Sequence, residues 1–210
     1  LPGEPRIVCV TKTQPLERIA EVVEAGATEI GENYVQEAIR KDVFSLRQGR
    51  DLAVHYIGHM QSNKYNAMLH LFDTIDSSDE DLLEHARTYS PAVPVHTHEF
   101  LLEINAGEEP QKTGLTLARV QKLAAESWAG FAVISGFMTV VPLQASTSIR
   151  AALYDNVWAL MRALVEEHGY SQLRELSMGT SDDFEVALEH GATMIRVGTA
   201  IFGTRETGRL

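Results

Sequence analysis

Residues 7–26, IVCVTKTQPLERIAEVVEAG, contain one strand–loop–helix unit, and this unit decides the fold that the sequence predicts. The apolar run Ile7–Val10 is short and mostly β-branched, which is typical of a strand buried on both faces. Pro15 then opens a helical pattern, and Gly26 is a candidate C-terminal cap. The apolar residues of that pattern follow helical spacing: Leu16, Ile19, Ala20, Val22 and Val23.

The same unit repeats to the end of the chain. Seven further short apolar runs predict strands: Thr28–Ile30, Ala53–Ile57, Phe72–Ile75, Phe100–Ile104, Phe131–Met138, Leu173–Leu176 and Thr193–Val197. Helical patterns fill the gaps, and the longest ends before Gly169. Repeated β–α alternation predicts a parallel sheet, and eight units favour an α/β fold of the (β/α)8 TIM-barrel type. An open doubly wound sheet remains the alternative, because periodicity does not reveal closure.

Composition limits the partners of the chain. No linker rich in Pro, Gly or Ser divides it, so we expect residues 1–210 to form a single domain. Eighteen basic against 29 acidic residues give a net charge of −11, which argues against nucleic acid and anionic membranes as partners. No apolar run approaches the ~20 residues that span a bilayer, and the first residues lack a signal-peptide pattern. The single cysteine, Cys9, allows no internal disulfide, so we expect a cytoplasmic protein.

Lys12 directly follows the first predicted strand. Active sites of (β/α) barrels lie at the C-terminal ends of the strands, so this position favours a functional role. The ordinary interpretation is a solvated lysine in a loop. The functional interpretation is a partly desolvated amine that attacks a carbonyl carbon and forms a Schiff base.

Two further candidate loops follow the seventh and eighth strands. The first is SMGTSDD (177–183), in which Ser181 is either a phosphate ligand or only a helix N-cap. The second is RVGTAIFG (196–203), in which Gly198 permits close backbone approach and Thr199 adds a hydroxyl. Glycine and hydroxyl groups after strands seven and eight are the recurring phosphate site of TIM barrels. With Lys12, they indicate a phosphorylated carbonyl ligand.

Arg196 occupies the end of the last predicted strand. An arginine inside a barrel is costly to bury unless it is paired, so one interpretation is a structural salt bridge. The other is a hydrogen-bond donor to the ring nitrogen of a pyridine cofactor such as pyridoxal 5′-phosphate (PLP).

Five segments together resemble one known family. They are VCVTKT (8–13), GENYVQE (31–37), IGHMQSNK (57–64), SMGTSDD (177–183) and IRVGTAIFG (195–203). In this order they resemble the pyridoxal phosphate homeostasis proteins, relatives of the N-terminal barrel of alanine racemase. The resemblance runs from about Ile7 to Arg205. Members of that family normally have a further helix before the first strand, and this sequence begins just before that strand.

The resemblance implies a role for each candidate residue. Lys12 would carry PLP as a covalent Schiff base, and Arg196 would face the pyridine nitrogen. Asn33 would lie near the cofactor, although a turn or capping role is the alternative. Three residues would hold the phosphate: Ser181, Gly198 and Thr199. No residue is expected to bind a metal. The sequence departs from the family at Thr11, where serine is usual, and at Thr180, where methionine is usual.

Three functions remain open at the level of sequence. The leading one is a cytoplasmic, monomeric PLP carrier that takes part in PLP (vitamin B6) homeostasis, with apo-PLP enzymes as recipients and without robust catalysis. The second is a PLP-dependent amino-acid racemase, for which Tyr34 or His59 would have to act as a second base. The third is a Schiff-base aldolase acting on a sugar phosphate. Arginine is a poor proton source for a ring nitrogen, and this favours the carrier.

Overall fold

Eight parallel strands close into a barrel in the order β1 to β8. The computed structural model describes residues 4–89, 95–97, 99–109, 113–125, 134–142 and 144–204. The strands are β1 Arg6–Val10, β2 Glu29–Glu32, β3 Ala53–Tyr56, β4 Thr74–Ser78, β5 Glu99–Ile104, β6 Ile134–Thr139, β7 Glu175–Thr180 and β8 Met194–Val197. The predicted (β/α)8 barrel is therefore confirmed, and the open doubly wound sheet is wrong.

Helices connect the strands on the outside of the barrel. They are α1 Leu16–Glu24, α2 Val35–Lys41, α3 Tyr65–Leu71, α4 Glu80–Thr88, α5 Leu117–Ala125, α6 Thr147–His168, α7 Phe184–Glu189 and α8 Thr199–Phe202. Two short 3-10 helices, Val43–Arg47 and Ser62–Lys64, add to the connections. None of the described helices is long and apolar enough to cross a membrane.

Closure comes from the pairing of β1 with both β2 and β8. Cys9 pairs with Ile30 on one side and with Val197 on the other. The ladder between β1 and β8 begins at Arg6 and Met194. Because all strands run in the same direction, their C-terminal ends form one rim, and the loops after β7, β8, β1 and β2 are neighbours on it.

The apolar core has two parts. The larger part lies between the barrel and its helices, and the smaller lies inside the barrel and consists of Val8, Leu101, Met138 and Met194. Charged and hydroxyl side chains are also fully buried on the strands, including His55, Asp76 and Ser177. A buried polar group is tolerated where it is hydrogen-bonded, so these residues mark a polar chain inside the barrel.

Local boundaries differ from the sequence prediction where strands end in polar residues. Ser78 ends β4, and its hydroxyl donates to the carbonyl oxygen of Ile75 (2.8 Å). The next residue, Asp79, is the N-cap of α4, because its carboxylate accepts from the backbone N–H of Leu82. Residues 131–133 of the sixth predicted strand lie outside the described residues.

Candidate functional site

A cavity of about 410 Å³ opens at the C-terminal rim of the barrel, and all six predicted site residues line it. They are Lys12, Asn33, Ser181, Arg196, Gly198 and Thr199. They come from the ends of β1, β2, β7 and β8, which are consecutive around the closed barrel. Other lining residues did not stand out in the sequence, among them Gln14, Ile57, Val140, Asp182 and Phe202.

The Lys12 turn is fixed by the residues on either side of it. Thr11 is completely buried, and its hydroxyl donates to Glu32 Oε1 at 2.6 Å. The backbone N–H of Thr11 donates to the Gly31 carbonyl at 2.9 Å. Thr13 has a φ of 65°, a left-handed conformation that is rare for a β-branched residue. The turn therefore fixes the direction in which Lys12 leaves the barrel wall.

Lys41 of α2 connects this turn to the barrel. Its Nζ donates to the carbonyl oxygen of Thr11 (3.0 Å) and lies 2.7 Å from Glu32 Oε1 and 3.0 Å from Glu37 Oε1. Glu37 in turn accepts from the backbone N–H of Thr13 at 2.6 Å. We call Glu32, Glu37 and Lys41 the turn clamp. Sequence patterns did not reveal it, although Glu32 and Glu37 both lie in the segment GENYVQE.

Burial makes the clamp sensitive to loss of its cation. Desolvation raises the pKa of the fully buried Glu32 carboxyl, and the hydrogen bonds from Lys41 and Thr11 counter this only in part. Within the described part of the chain, Glu32 Oε2 is buried without a hydrogen-bond partner. The charge of Glu32 therefore depends on Lys41.

The loops after β7 and β8 are joined through Ser181. Its Oγ accepts from the backbone N–H of Gly198 (3.1 Å) and from that of Ala200 (3.3 Å). Ser181 thus caps the start of α8 across the barrel rim. It does not cap α7, the next helix in the chain, because Asp183 is the N-cap of that helix. Thr199 is exposed beside these groups, so two hydroxyls and two backbone N–H groups meet at one edge of the cavity.

Gly198 is where the last strand passes the first one. A Cβ added to it would lie 3.3 Å from Val10 Cβ, closer than most real Cβ contacts. Asp183 stabilises the neighbouring loop, because its carboxylate accepts from the N–H and hydroxyl of Thr180 (2.7 and 3.0 Å) and from Tyr154 (2.7 Å). The Thr180 hydroxyl therefore adds a hydrogen bond inside the loop.

Arg196 is buried, with 5% of its surface exposed, and its guanidinium is fixed by three hydrogen bonds. Nη1 donates to the carbonyl oxygen and the Oγ of Ser177 (2.6 and 2.7 Å), and Nη2 donates to the Thr139 carbonyl (2.9 Å). Among the described residues, no carboxylate lies within ion-pair distance of the Arg196 guanidinium. The described part of the chain therefore contains no direct salt bridge of the kind that the sequence suggested for Arg196. Desolvation lowers the pKa of Arg196, and the charge of Asp76 works against this shift.

Asn33 lies at the rim after β2. Its Oδ1 is buried and has no hydrogen-bond partner among the residues that the structure describes. Since a buried acceptor without a donor costs free energy, this atom is a natural contact for a ligand group in the cavity. Tyr34 and His59, the candidate second bases, are both exposed and do not belong to the cavity lining.

Comparison with known proteins identifies the family. Residues 1–206 match the family model for the alanine racemase N-terminal domain. The pyridoxal phosphate homeostasis protein of Escherichia coli (strain K12) is 32% identical over 210 residues, which cover 98% of this chain and 88% of the relative. The chain belongs to the pyridoxal phosphate homeostasis protein family.

Solved structures agree with this membership. PipY of Synechococcus elongatus PCC7942 without PLP has a TM-score of 0.84 and 32% identity, over 97% of this chain and 94% of PipY. The structure of PipY with PLP bound has a TM-score of 0.81 and 31% identity, with the same coverage. The family resemblance stated from five sequence segments is thereby confirmed, as is the relation to the alanine racemase barrel.

The turn clamp of this family member gives a first testable prediction. Lys41→Met should lower the free energy of unfolding by about 3 kcal/mol, because it leaves the Glu32 carboxylate buried without its cation. Adding Glu32→Gln should recover part of that loss, since no buried charge remains. Urea unfolding measures both variants. Arg162→Met, which breaks an exposed pair with Glu166, is the matched control and should cost about 0.5 kcal/mol or less. Additive losses for Lys41 and Glu32 would contradict the clamp.

Proposed function

We propose that this chain binds PLP, holds it as a Schiff base on Lys12, and serves PLP homeostasis without robust catalysis. The observation that carries the proposal is that one cavity holds Lys12, the Ser181–Thr199 edge and Arg196. These groups match the aldehyde, the phosphate and the ring nitrogen of PLP. The PLP-bound structure of PipY adds support, because that protein is 31% identical over nearly the whole chain.

The residues present fit this ligand. A cavity of about 410 Å³ lies in the range of about 300–1,000 Å³ that is usual for small-molecule sites. Ile57, Val140 and Phe202 provide apolar wall for a ring, while the orphaned Oδ1 of Asn33 provides an acceptor beside it. The phosphate would take hydrogen bonds from Ser181 and Thr199, and a dianion is well placed where backbone N–H groups converge.

Lys12 supplies the covalent attachment in this proposal. When bound, PLP provides an aldehyde carbon, to which the uncharged Nζ adds with loss of water. The clamped turn holds Lys12 half-buried at the rim, which limits the side-chain freedom lost on attachment. A Schiff-base aldolase would use the same lysine and phosphate edge, but it would be purified without a coloured cofactor.

Arg196 would hold the pyridine nitrogen. Arginine keeps its protons, so it donates a hydrogen bond to this nitrogen without transferring the proton. A ring that stays unprotonated withdraws electrons weakly, and racemisation also needs a second base. The placement of Tyr34 and His59 outside the cavity lining favours a holding role.

In this proposal, residues 1–210 act as a single-domain, monomeric PLP carrier in the cytoplasm, and apo-PLP enzymes are the recipients. The rim position supports transfer, because Thr199 is exposed and Lys12 is only half-buried. A cofactor bound there can leave without opening of the barrel.

Replacing Lys12 tests the covalent step. Lys12→Ala should abolish both the visible absorbance of protein-bound PLP and the adduct trapped by borohydride, with the circular dichroism spectrum unchanged. Lys64→Ala, a lysine on the rim after β3, should keep both signals. A trapped adduct that mass spectrometry maps to another lysine would show that Lys12 is not the attachment site.

The phosphate edge predicts ligand selectivity. Ser181→Ala combined with Thr199→Val should weaken PLP binding at least about tenfold, because each hydrogen bond to a charged group contributes about 1.5–3 kcal/mol. Pyridoxal, which lacks the phosphate, should bind the double variant and the parent equally. Fluorescence titration measures both ligands. Equal weakening of PLP and pyridoxal would argue against a phosphate role for these hydroxyls.

A racemisation assay separates holding from catalysis. The PLP-loaded protein incubated with L-alanine should form no appreciable D-alanine, as followed by chiral chromatography. Racemisation by the unmodified protein, lost in Tyr34→Phe or His59→Gln, would make this chain an enzyme and reject the carrier function.

A further inference from the structure

A chain of polar side chains runs through the barrel interior below Arg196. The first link is Ser177, whose Oγ accepts from Arg196 Nη1 (2.7 Å) and donates to Asp76 Oδ2 (3.2 Å). Ser177 lies on β7 and Asp76 on β4, and these strands are not neighbours in the barrel. Their hydrogen bond therefore crosses the interior.

His55 is the next link and lies between two carboxylates. Its Nδ1 is 2.8 Å from Asp76 Oδ1, and its Nε2 is 3.2 Å from Glu29 Oε2. A neutral imidazole has one nitrogen lone pair, which would face a carboxylate oxygen and be repelled by it. The contact with Glu29 is an ion-pair distance without hydrogen-bond alignment, because neither Nε2 nor Glu29 Oε2 has a hydrogen-bond partner among the described residues. A carboxylate beside each ring nitrogen favours the doubly protonated, cationic ring.

The chain ends in an ion-pair cluster at the N-terminal end of the barrel. Glu29 accepts from Arg6 Nε at 2.8 Å, and Arg6 Nη1 lies 3.2 Å from Glu175. Glu99 lies 4.0 Å from Arg6 and pairs with the half-exposed Arg174. We call the whole set the interior relay: Arg196, Ser177, Asp76, His55, Glu29, Arg6, Glu175, Glu99 and Arg174.

The charges of the interior relay balance only when His55 is protonated. Its four cations then match its four anions, whereas a neutral His55 would leave one net negative charge in the barrel. Burial by itself lowers the pKa of the completely buried His55, but Asp76 and Glu29 outweigh this effect and raise it to about 9. The same contacts with His55 and Arg6 outweigh desolvation of Glu29 and lower the pKa of that carboxyl.

The relay supplies the carboxylate with the largest effect on Arg196, that of Asp76, and Glu103 and Asp183 add to it. The hydrogen bonds of Arg196 itself go to hydroxyl and carbonyl groups, and Asp76 is the carboxylate that reaches it through a single hydroxyl, that of Ser177. Asp76 accepts from both Ser177 and His55, so each of its oxygens is used as an acceptor. This arrangement orients Ser177 and, through it, the guanidinium.

From this geometry we infer that Asp76 is a positioning residue for Arg196, and that cationic His55 keeps Asp76 in its ionised, accepting form. The interior relay thereby fixes the direction in which Arg196 faces the ring nitrogen of the bound cofactor. The inference rests on the proposed function, because it assigns Arg196 to that nitrogen.

Two ligands that differ at one ring atom provide the test. One is PLP, and the other is its carbocyclic analogue, in which CH replaces the ring nitrogen. Ser177→Ala breaks the link between Asp76 and Arg196, so it should weaken PLP binding about three- to tenfold. The same variant should leave binding of the carbocyclic analogue unchanged within about twofold. Ser135→Ala is the matched control, since this buried β6 hydroxyl has no partner among the described residues.

The ligand-free protein gives a second, independent readout. NMR titration of the His55 ring should show a midpoint near 9 in the unmodified protein and a lower one in Asp76→Asn. The groups that face His55 are Asp76 from β4 and Glu29 from β2, with Arg6 and Ser177 behind them. Deprotonation of His55 removes the cation that faces Asp76, so the preference for PLP over the analogue should fall as the pH rises through about 9.

The outcomes separate the two proposals. If the unmodified protein binds neither ligand, the PLP function fails and the relay inference fails with it. If it binds PLP, equal weakening of both ligands by Ser177→Ala, or no weakening of either, overturns the relay inference alone. A His55 midpoint near its ordinary value of 6.5 in the unmodified protein also overturns it. If the Asp76→Asn variant does not fold, the comparison of the two ligands in Ser177→Ala and the His55 titration of the unmodified protein still test the inference.

Discussion

Pairing of β1 with β8 is the constraint on which the cavity depends. Lys12 follows β1 and Gly198 follows β8, and they come together because Cys9 lies opposite Val197 in the closing ladder. The approach is close enough that a Cβ on Gly198 would press against Val10. Lys12 and the edge formed by Ser181 and Thr199 therefore share one quadrant only while the barrel is closed. Ligand binding at this rim must stabilise the closed barrel in turn.

Closure also creates an interior, and this barrel fills it in two different ways. Val8, Leu101, Met138 and Met194 form an apolar cluster, which stabilises the barrel through burial. Alongside that cluster runs the interior relay, whose buried charges cost desolvation free energy that hydrophobic residues of the same volume would avoid. The equal numbers of cations and anions in the interior relay, and their alternation along it, reduce this desolvation cost without removing it. The inferred positioning of Arg196 would explain why the barrel interior contains ions where apolar side chains would be more stable.

The sequence predicted what depends on neighbours along the chain and missed what depends on closure. Strands were found because their apolar runs are local, and Lys12 and Ser181 were found because they follow such runs. The turn clamp and the interior relay were missed, since their partners are distant: Ser177 and Asp76 are 101 residues apart. The sequence did contain one indication of His55, because this ionisable residue lies inside the short apolar run Ala53–Ile57. Its partners could not be chosen before the barrel was known to close.

In the proposed carrier, the features that would hold PLP firmly would also make the site poorly suited to catalysis. A clamped turn limits the freedom of Lys12, whereas a catalytic lysine must move between attachment and proton transfer. Arg196 is fixed by three hydrogen bonds and counterbalanced by Asp76, so it can neither give up a proton nor follow a change in ring charge. Electron withdrawal by the ring stays weak as long as its nitrogen is unprotonated. The proposed storage of a reactive aldehyde requires tight binding without turnover, and the residues behind the cavity wall would provide it.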